Sequence, residues 1–236
     1  SEILGMNAEE LKQSIKASEG RVILSENVAT RESFIGDITN SEIARAFGAD
    51  LILLNGVDVL KPYIFGLEVK EESFVKELQN LVGRPIGVNL EPVDLEANMA
   101  EDRLTISKGR QANLETIKEI ERLGMNFVCF TGNPGTGVTN TEIEKTIKLA
   151  KKYFSGLIIA GKMHGAGVDE PVADMKAIES FIEAGADVIL VPAVGTVPGF
   201  DESELKEVVK LAHSKGALVL SAIGTSQESS DEDRKS

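Results

Sequence analysis

AFGADLILLN (Ala46 to Asn55), RLGMNFVCFTG (Arg122 to Gly132), EAGADVILVP (Glu183 to Pro192) and SKGALVLSAIG (Ser214 to Gly224) are one phrase written four times. Each begins at the end of an amphipathic helix, turns on a glycine and runs into a short apolar stretch. Gly48, Gly124, Gly185 and Gly216 hold the position where a left-handed cap ends a helix. The apolar stretches do not alternate with polar residues, which is the pattern of parallel strands covered on both faces. The phrase is a helix-to-strand unit, and its repetition decides the fold class.

Working outward, strands are predicted at Val22–Ser25, Leu51–Asn55, Ile86–Leu90, Phe127–Thr131, Leu157–Ala160, Val188–Pro192 and Leu218–Ser221. Helices are predicted at Asn40–Phe47, Glu72–Val82, Arg110–Leu123, Thr141–Phe154, Val172–Ala184 and Glu202–Ser214. Thr39 with Glu42, and Thr139 with Glu142, have capping-box spacing; Asp201 with Glu204 is a close variant. Tandem β-α units give either a closed barrel or an open doubly wound sheet. No Gly-x-Gly-x-x-Gly follows the first strand, which weakens a dinucleotide-binding reading. Functional-looking residues follow nearly every strand, as a shared barrel mouth requires. The predicted class is α/β, a (β/α)8 barrel of TIM type.

The count leaves that barrel short. After the seventh strand only 224–236 remain, polar and highly charged, whereas an eighth unit would need roughly 50 residues. The eighth β-α unit is therefore expected to be missing: the barrel is open, the chain is a truncated form, or a second chain, as in a homo-oligomer, completes it. The expected organisation is an N-terminal helix over residues 1–20 capping the barrel, a barrel over 21–226 and a disordered polar tail over 227–236.

Composition narrows the function. The length of 236 residues suits a single α/β barrel, and 42% apolar residues supply a sizeable core. A formal charge of -13 argues against binding nucleic acid or an anionic membrane, since both are polyanions. No apolar run approaches the ~20 residues of a membrane span. The one cysteine, Cys129, sits in an apolar run, so it is read as a buried, inert thiol in a chain suited to a reducing cytoplasm.

Polar bursts follow the predicted strands. Lys162 and His164, between Gly161 and Gly165, pair a cation with a titratable ring. The lysine could bind phosphate or carboxylate, or form a Schiff base; the histidine could move protons. The alternative for both is a solvated loop. Asn89 and Glu91 point the same way by strand alternation, and Glu91 could serve as general base or metal ligand; the alternative is an ion pair with Lys108 or Arg110. Thr131-Gly132-Asn133-Pro134-Gly135-Thr136-Gly137 precedes a capped helix and suits an anion cradle of free amides, or else a tight turn centred on Pro134-Gly135. Gly195-Thr196 and Gly224-Thr225-Ser226 follow later strands and suit phosphate or hydroxyl recognition. Glu26, Asn27, Asn55 and Asp58 form a second tier, with Glu26 and Glu91 the weak candidates for Mg2+; no other cofactor is expected. Two histidines are too few for a zinc hydrolase.

RVILSENV, GRPIGVNLEPVD, RLTISKGR, FTGNPGTGVTN, LIIAGKMHGAGV, VILVPAVGTVPG and SAIGTSQE span almost the whole chain. Together they resemble a bacterial family of TIM-barrel proteins labelled haloacid dehalogenase-like hydrolases or phosphoenolpyruvate phosphonomutase-like proteins. The resemblance implies a TIM barrel whose members continue past the GTSQE segment with the eighth unit. The dehalogenase label requires an Asp-x-Asp pair at the end of the first strand; this chain has Ser25-Glu26-Asn27 there, and its only such pair is Asp231/Asp233 in the tail. A phosphonomutase reading requires acidic metal ligands at strand ends, which Glu26, Asp58 and Glu91 could partly supply.

The function expected is an enzyme on a small anionic metabolite, such as a phosphorylated sugar, with lyase or isomerase proton transfer by Lys162, His164 and Glu91 at the barrel mouth. Mg2+-dependent hydrolase or phosphonomutase-like lyase chemistry, and noncatalytic metabolite binding, are the alternatives.

Overall fold

Seven apolar stretches become seven strands, and one sheet takes them in chain order: β1 (Leu24–Val28), β2 (Leu51–Asn55), β3 (Ile86–Leu90), β4 (Phe127–Phe130), β5 (Leu157–Gly161), β6 (Val188–Pro192) and β7 (Leu218–Ala222). The structure is a computed structural model that describes residues 2–68, 74–100 and 102–223. Helices α2 (Asn40–Ala46), α3 (Phe74–Val82), α4 (Leu114–Arg122), α5 (Asn140–Tyr153), α6 (Met175–Ala184) and α7 (Glu202–Ser214) each follow one strand, and α1 (Ala8–Ala17) precedes them all. This succession is the α/β class of TIM-barrel type, with seven strands among the described residues. Residues 224–236, including Gly224, Thr225, Ser226 and the predicted tail, lie outside the described residues.

Local chemistry explains the boundaries. Thr39 and Glu42 form a capping box on α2, as Asp201 and Glu204 do on α7. The glycines closing the helices take positive φ: 102° at Gly48, 74° at Gly124, 118° at Gly185 and 80° at Gly216. Three predicted elements have an end that moves by more than one residue among the described residues. The predicted strand Val22–Ser25 shifts to Leu24–Val28, because β1 pairs in parallel with β2 as far as Val28 opposite Asn55. The predicted helix Arg110–Leu123 begins only at Leu114, where Asn113 and Thr116 make a reciprocal box without a glutamate. The predicted helix Val172–Ala184 begins at Met175, because the Asp174 carboxylate accepts the amides of Lys176 and Ala177.

The chain divides into two compact units. The first comprises Ser1–Leu90, Ser107–Cys129 and Ala150–Leu157. Within it β1 and β2, and β2 and β3, pair in parallel. Ile52, Leu54, Phe74, Leu78, Ile86, Ile117, Ile120 and Phe127 are fully buried. Each such side chain contributes about 1.5–3 kcal/mol of burial. Cys129 is buried here too, and burial first, then the Glu26 charge, pushes its thiol far above the ordinary value.

The second unit comprises Glu91–Ile106, Phe130–Leu149 and Ile158–Ser236. Its β5, β6 and β7 pair in parallel, with Gly161 opposite Leu190. Gly161 takes φ 152°, and a Cβ there would overlap the Leu190 carbonyl oxygen. Only glycine permits that approach, and the next residue along is Lys162. Among the described residues, no helix is long and apolar enough to cross a membrane.

Candidate functional site

In the second unit, the segments after β3, β4 and β5 are laced together by backbone. Val93 bridges Val138, and Met99 bridges Val168. The Asp94 amide donates to the Gly137 carbonyl (2.9 Å), that of Leu104 to Gly135 (2.7 Å) and that of Gly137 to Ala166 (3.0 Å). This lacing replaces regular secondary structure and holds four titratable side chains in place.

Glu91 follows β3 directly and is 1% exposed. Its Oε1 accepts the backbone N–H of Asn133 at 2.6 Å, and its Oε2 accepts the Asn133 side-chain amide at 3.1 Å. A carboxylate this deep needs such donors, because burying an unpaired charge costs several kcal/mol. Lys108, one of the partners considered for Glu91, pairs with Glu115 instead.

Lys162 follows β5 and is 2% exposed, so it is not a solvated loop residue. Its Nζ donates to Glu170 Oε2 at 2.7 Å. The same Oε2 accepts the backbone N–H of Asn140, the first residue of α5, at 3.0 Å. Glu170 Oε2 thus sits between an ammonium and the positive end of a helix. Asp94 serves that helix end as well: its Oδ2 accepts the hydroxyl of Thr139, whose oxygen accepts the Glu142 amide.

His164 is 6% exposed, and its Nδ1 accepts the Ala166 amide at 3.0 Å. An accepting Nδ1 carries no proton, so the ring is the neutral tautomer protonated on Nε2. Ala166 takes φ 53°, a left-handed conformation that costs a residue with a Cβ about 1–2 kcal/mol. The bonds to His164 and Gly137 hold it there.

The loop after β4 is a tight turn. The Thr136 amide and hydroxyl both reach the Asn133 carbonyl, at 3.3 and 2.8 Å, around Pro134 and Gly135 (φ 75°). Three of the amides expected to cradle an anion are engaged within the unit. The amides of Asn133, Thr136 and Gly137 all have acceptors within the unit, and the anion held by Asn133 is Glu91. Thr131 and Thr136 are buried, 7% and 0% exposed. Thr196 spends its hydroxyl inside its own turn, donating to the Ala193 carbonyl at 2.6 Å, and Gly195 beside it is exposed.

The first unit carries the remaining candidates. Asn89 Nδ2 donates to Asn55 Oδ1 at 3.4 Å, and Asn55 Nδ2 donates to Glu26 Oε1 at 2.7 Å. Glu26 is exposed. Asn27 reaches Ser41 at 3.5 Å. Asp58 folds its own turn, accepting the amides of Leu60 and Lys61.

The metal candidates do not make a cation site. Among the described residues, no group of three or more His, Cys, Asp or Glu side chains is placed to hold an ion. Both Glu91 oxygens, and Oε1 of Glu26, already accept side-chain or backbone donors. Glu91 is thus committed to Asn133.

Sequence reading missed Glu170, Asn140 and Asp174. For Glu170 the available signal was the requirement that a buried lysine find a counter-charge.

The fold and its laced loops define a protein of the TIM-barrel type with charged side chains buried beside strand ends. The chain belongs to the family described as Domain of unknown function (DUF7916), which matches residues 1–234. No curated protein matches it. Among solved structures, it is similar to a protein of Burkholderia cenocepacia J2315 provisionally assigned as a lyase/mutase: TM-score 0.53, 15% identity, 90% of this chain and 73% of that one covered. A second, provisionally assigned as a phosphonomutase from the same organism, gives TM-score 0.50 and 15% identity over 92% and 85%. A 2,3-dimethylmalate lyase, described as a PEP mutase/isocitrate lyase superfamily member, gives 0.49 and 11% over 96% and 84%. At these identities the likeness is one of fold. The dehalogenase label gains nothing: β1 ends in Asn27-Val28, followed by Ala29, with no aspartate.

Proposed function

We propose that this protein is an enzyme acting on a small anionic metabolite by lyase- or isomerase-type proton transfer, carried by the laced segments after β3, β4 and β5. The observation that carries this reading is Lys162. Its ammonium has three N–H donors, its side chain is 1% exposed, and among the described residues it bonds only Glu170. Two enclosed donors without acceptors among the described residues suit a carboxylate, phosphate or carbonyl oxygen of a ligand. Lys162 in an ion pair acts as a point charge; the Schiff-base role would need the free amine. Glu91, oriented by two donors on Asn133, has the chemistry of a general base, and neutral His164 that of a hydrogen-bond donor that can polarise a ligand oxygen through Nε2–H. The lyase/mutase and phosphonomutase assignments of the two Burkholderia fold neighbours support the lyase branch over a hydrolase.

The test is a panel of 2-oxo, 2-hydroxy and phosphono acids and phosphorylated sugars in deuterated buffer, followed by NMR for exchange at carbon and for bond cleavage. At least one compound should exchange or cleave. Glu91→Gln should lower that rate about 10²–10⁴-fold, and Lys162→Met should raise KM. Compounds that bind and are recovered unchanged across the panel would overturn the catalytic reading in favour of a noncatalytic binding protein.

A further inference from the structure

Glu170 occupies an anion position that it does not fill well. Its Oε2 sits where Lys162 Nζ (2.7 Å) and the Asn140 amide at the head of the 14-residue helix α5 (3.0 Å) converge. The two sides of this ion pair are buried very differently: the Lys162 side chain is 1% exposed, that of Glu170 28%. The cation is fixed in the interior, while solvent reaches the anion. Glu170 also lies outside any helix or strand, between Val168, whose carbonyl accepts its amide at 3.0 Å, and Pro171. The ammonium keeps two donors without acceptors among the described residues even with Glu170 in place. One carboxylate oxygen is therefore satisfying a site with capacity for more.

We infer that Glu170 is a resident stand-in for the ligand, and that a carboxylate or phosphate group of the ligand displaces it from Lys162 and the α5 N-terminus. This rests on the reading of Lys162 as an anion-binding residue and adds a tenant to that site. Displacement turns Glu170 outward to solvent and delivers two or three ligand oxygens to donors that now share one. Until that exchange the cation is neutralised, which keeps stray anions out and gives the site a threshold. A ligand's apparent affinity is reduced by the fraction of time Glu170 occupies the position.

The experiment measures phosphate and malonate binding by isothermal titration calorimetry to the wild-type chain, Glu170→Gln, Glu170→Ala and Lys162→Met. The two Glu170 variants should bind one or both anions about tenfold or more tightly than wild type, and Lys162→Met should lose that binding. Equal binding by wild type and both Glu170 variants, with loss in Lys162→Met, would overturn the displacement while leaving the anion site standing. Binding unaffected by Lys162→Met, or no binding by any variant, would overturn both. A buried ammonium without its partner costs stability, so anion-dependent thermal stability supplies the second measurement. Phosphate or malonate should raise Tm of the Glu170 variants more than that of wild type. The double variant Lys162→Met with Glu170→Gln, which buries no charge at this position, should show no anion-dependent rise.

Discussion

Glu26, Asn55 and Asn89 in the first unit, and Glu91, Lys162, His164 and Glu170 in the second, are polar sets on or just after strands, built on different physics. The first hands hydrogen bonds along neutral amides, from Asn89 to Asn55 and from Asn55 to Glu26, and leaves its one carboxylate in solvent. The second encloses a carboxylate and an ammonium, 1% and 2% exposed, and surrounds them with backbone lacing and a strained Ala166. Neutral amides need only be hydrogen-bonded, which costs little and suits a scaffold. Enclosed charges need partners fixed in advance, and strain of this sort collects where structure serves chemistry. On the proposed reading, the chemistry belongs to the second set, and the first would serve as a brace.

The largest effect should come from breaking the delivery of Lys162. Gly161→Ala places a Cβ on the Leu190 carbonyl oxygen at φ 152°. It should cost roughly 3–5 kcal/mol, since backbone strain and overpacking add. Urea denaturation reads it, and a loss under about 1 kcal/mol would mean that β5 and β6 can part without consequence.

Next, the two sets can be compared by one kind of truncation. Asn133→Ala removes a donor from a buried carboxylate and should cost about 2 kcal/mol, whereas Asn55→Ala, which breaks neutral bonds, should cost about 1 kcal/mol. In any activity found, Asn133→Ala should fall further than Asn55→Ala. The reverse order in both stability and activity would exchange the roles assigned to the two units.

The smallest effect is a slope. Burial, followed by the charge of Glu26, raises the Cys129 thiol in the folded chain. The unfolded chain loses its thiol proton first, so this stabilisation is complete below the ordinary thiol value of 9.0 and declines as pH rises past it. Between about pH 9 and 10, wild type should lose about 1 kcal/mol relative to Cys129→Ala. Parallel stability curves for the two chains would show that the thiol is not enclosed when folded.

Most of the architecture was legible in the chain. Continuous apolar runs marked all seven strands, and capping boxes placed the ends of α2 and α7. Shifts arose where polar residues did strand work or where a cap lacked its glutamate. Glu26 and Asn27 belong to β1 because register with β2 outweighs their polarity, and Asn113 and Asp174 start helices that sequence periodicity extended upstream. At the site, the sequence singled out Lys162, His164 and Glu91 by residue type and by their position after apolar runs. It read Thr131 to Gly137 as an anion cradle or a tight turn; in the fold Thr136 turns back on Asn133, and Asn133 holds Glu91.

The sequence by itself determined the class of fold, because a glycine-turned helix-to-strand phrase has few ways to bury its apolar face. It also determined which residue types follow each strand. The tertiary structure alone decided what those residues are to one another. Burial is a property of the packed chain, and so is the meeting of Lys162 with Glu170 on the first amide of α5. Asn140 lies 22 residues before Lys162 and 30 before Glu170 in the chain. No local pattern encodes that meeting; it exists only once the segments after β4 and β5 are laced together.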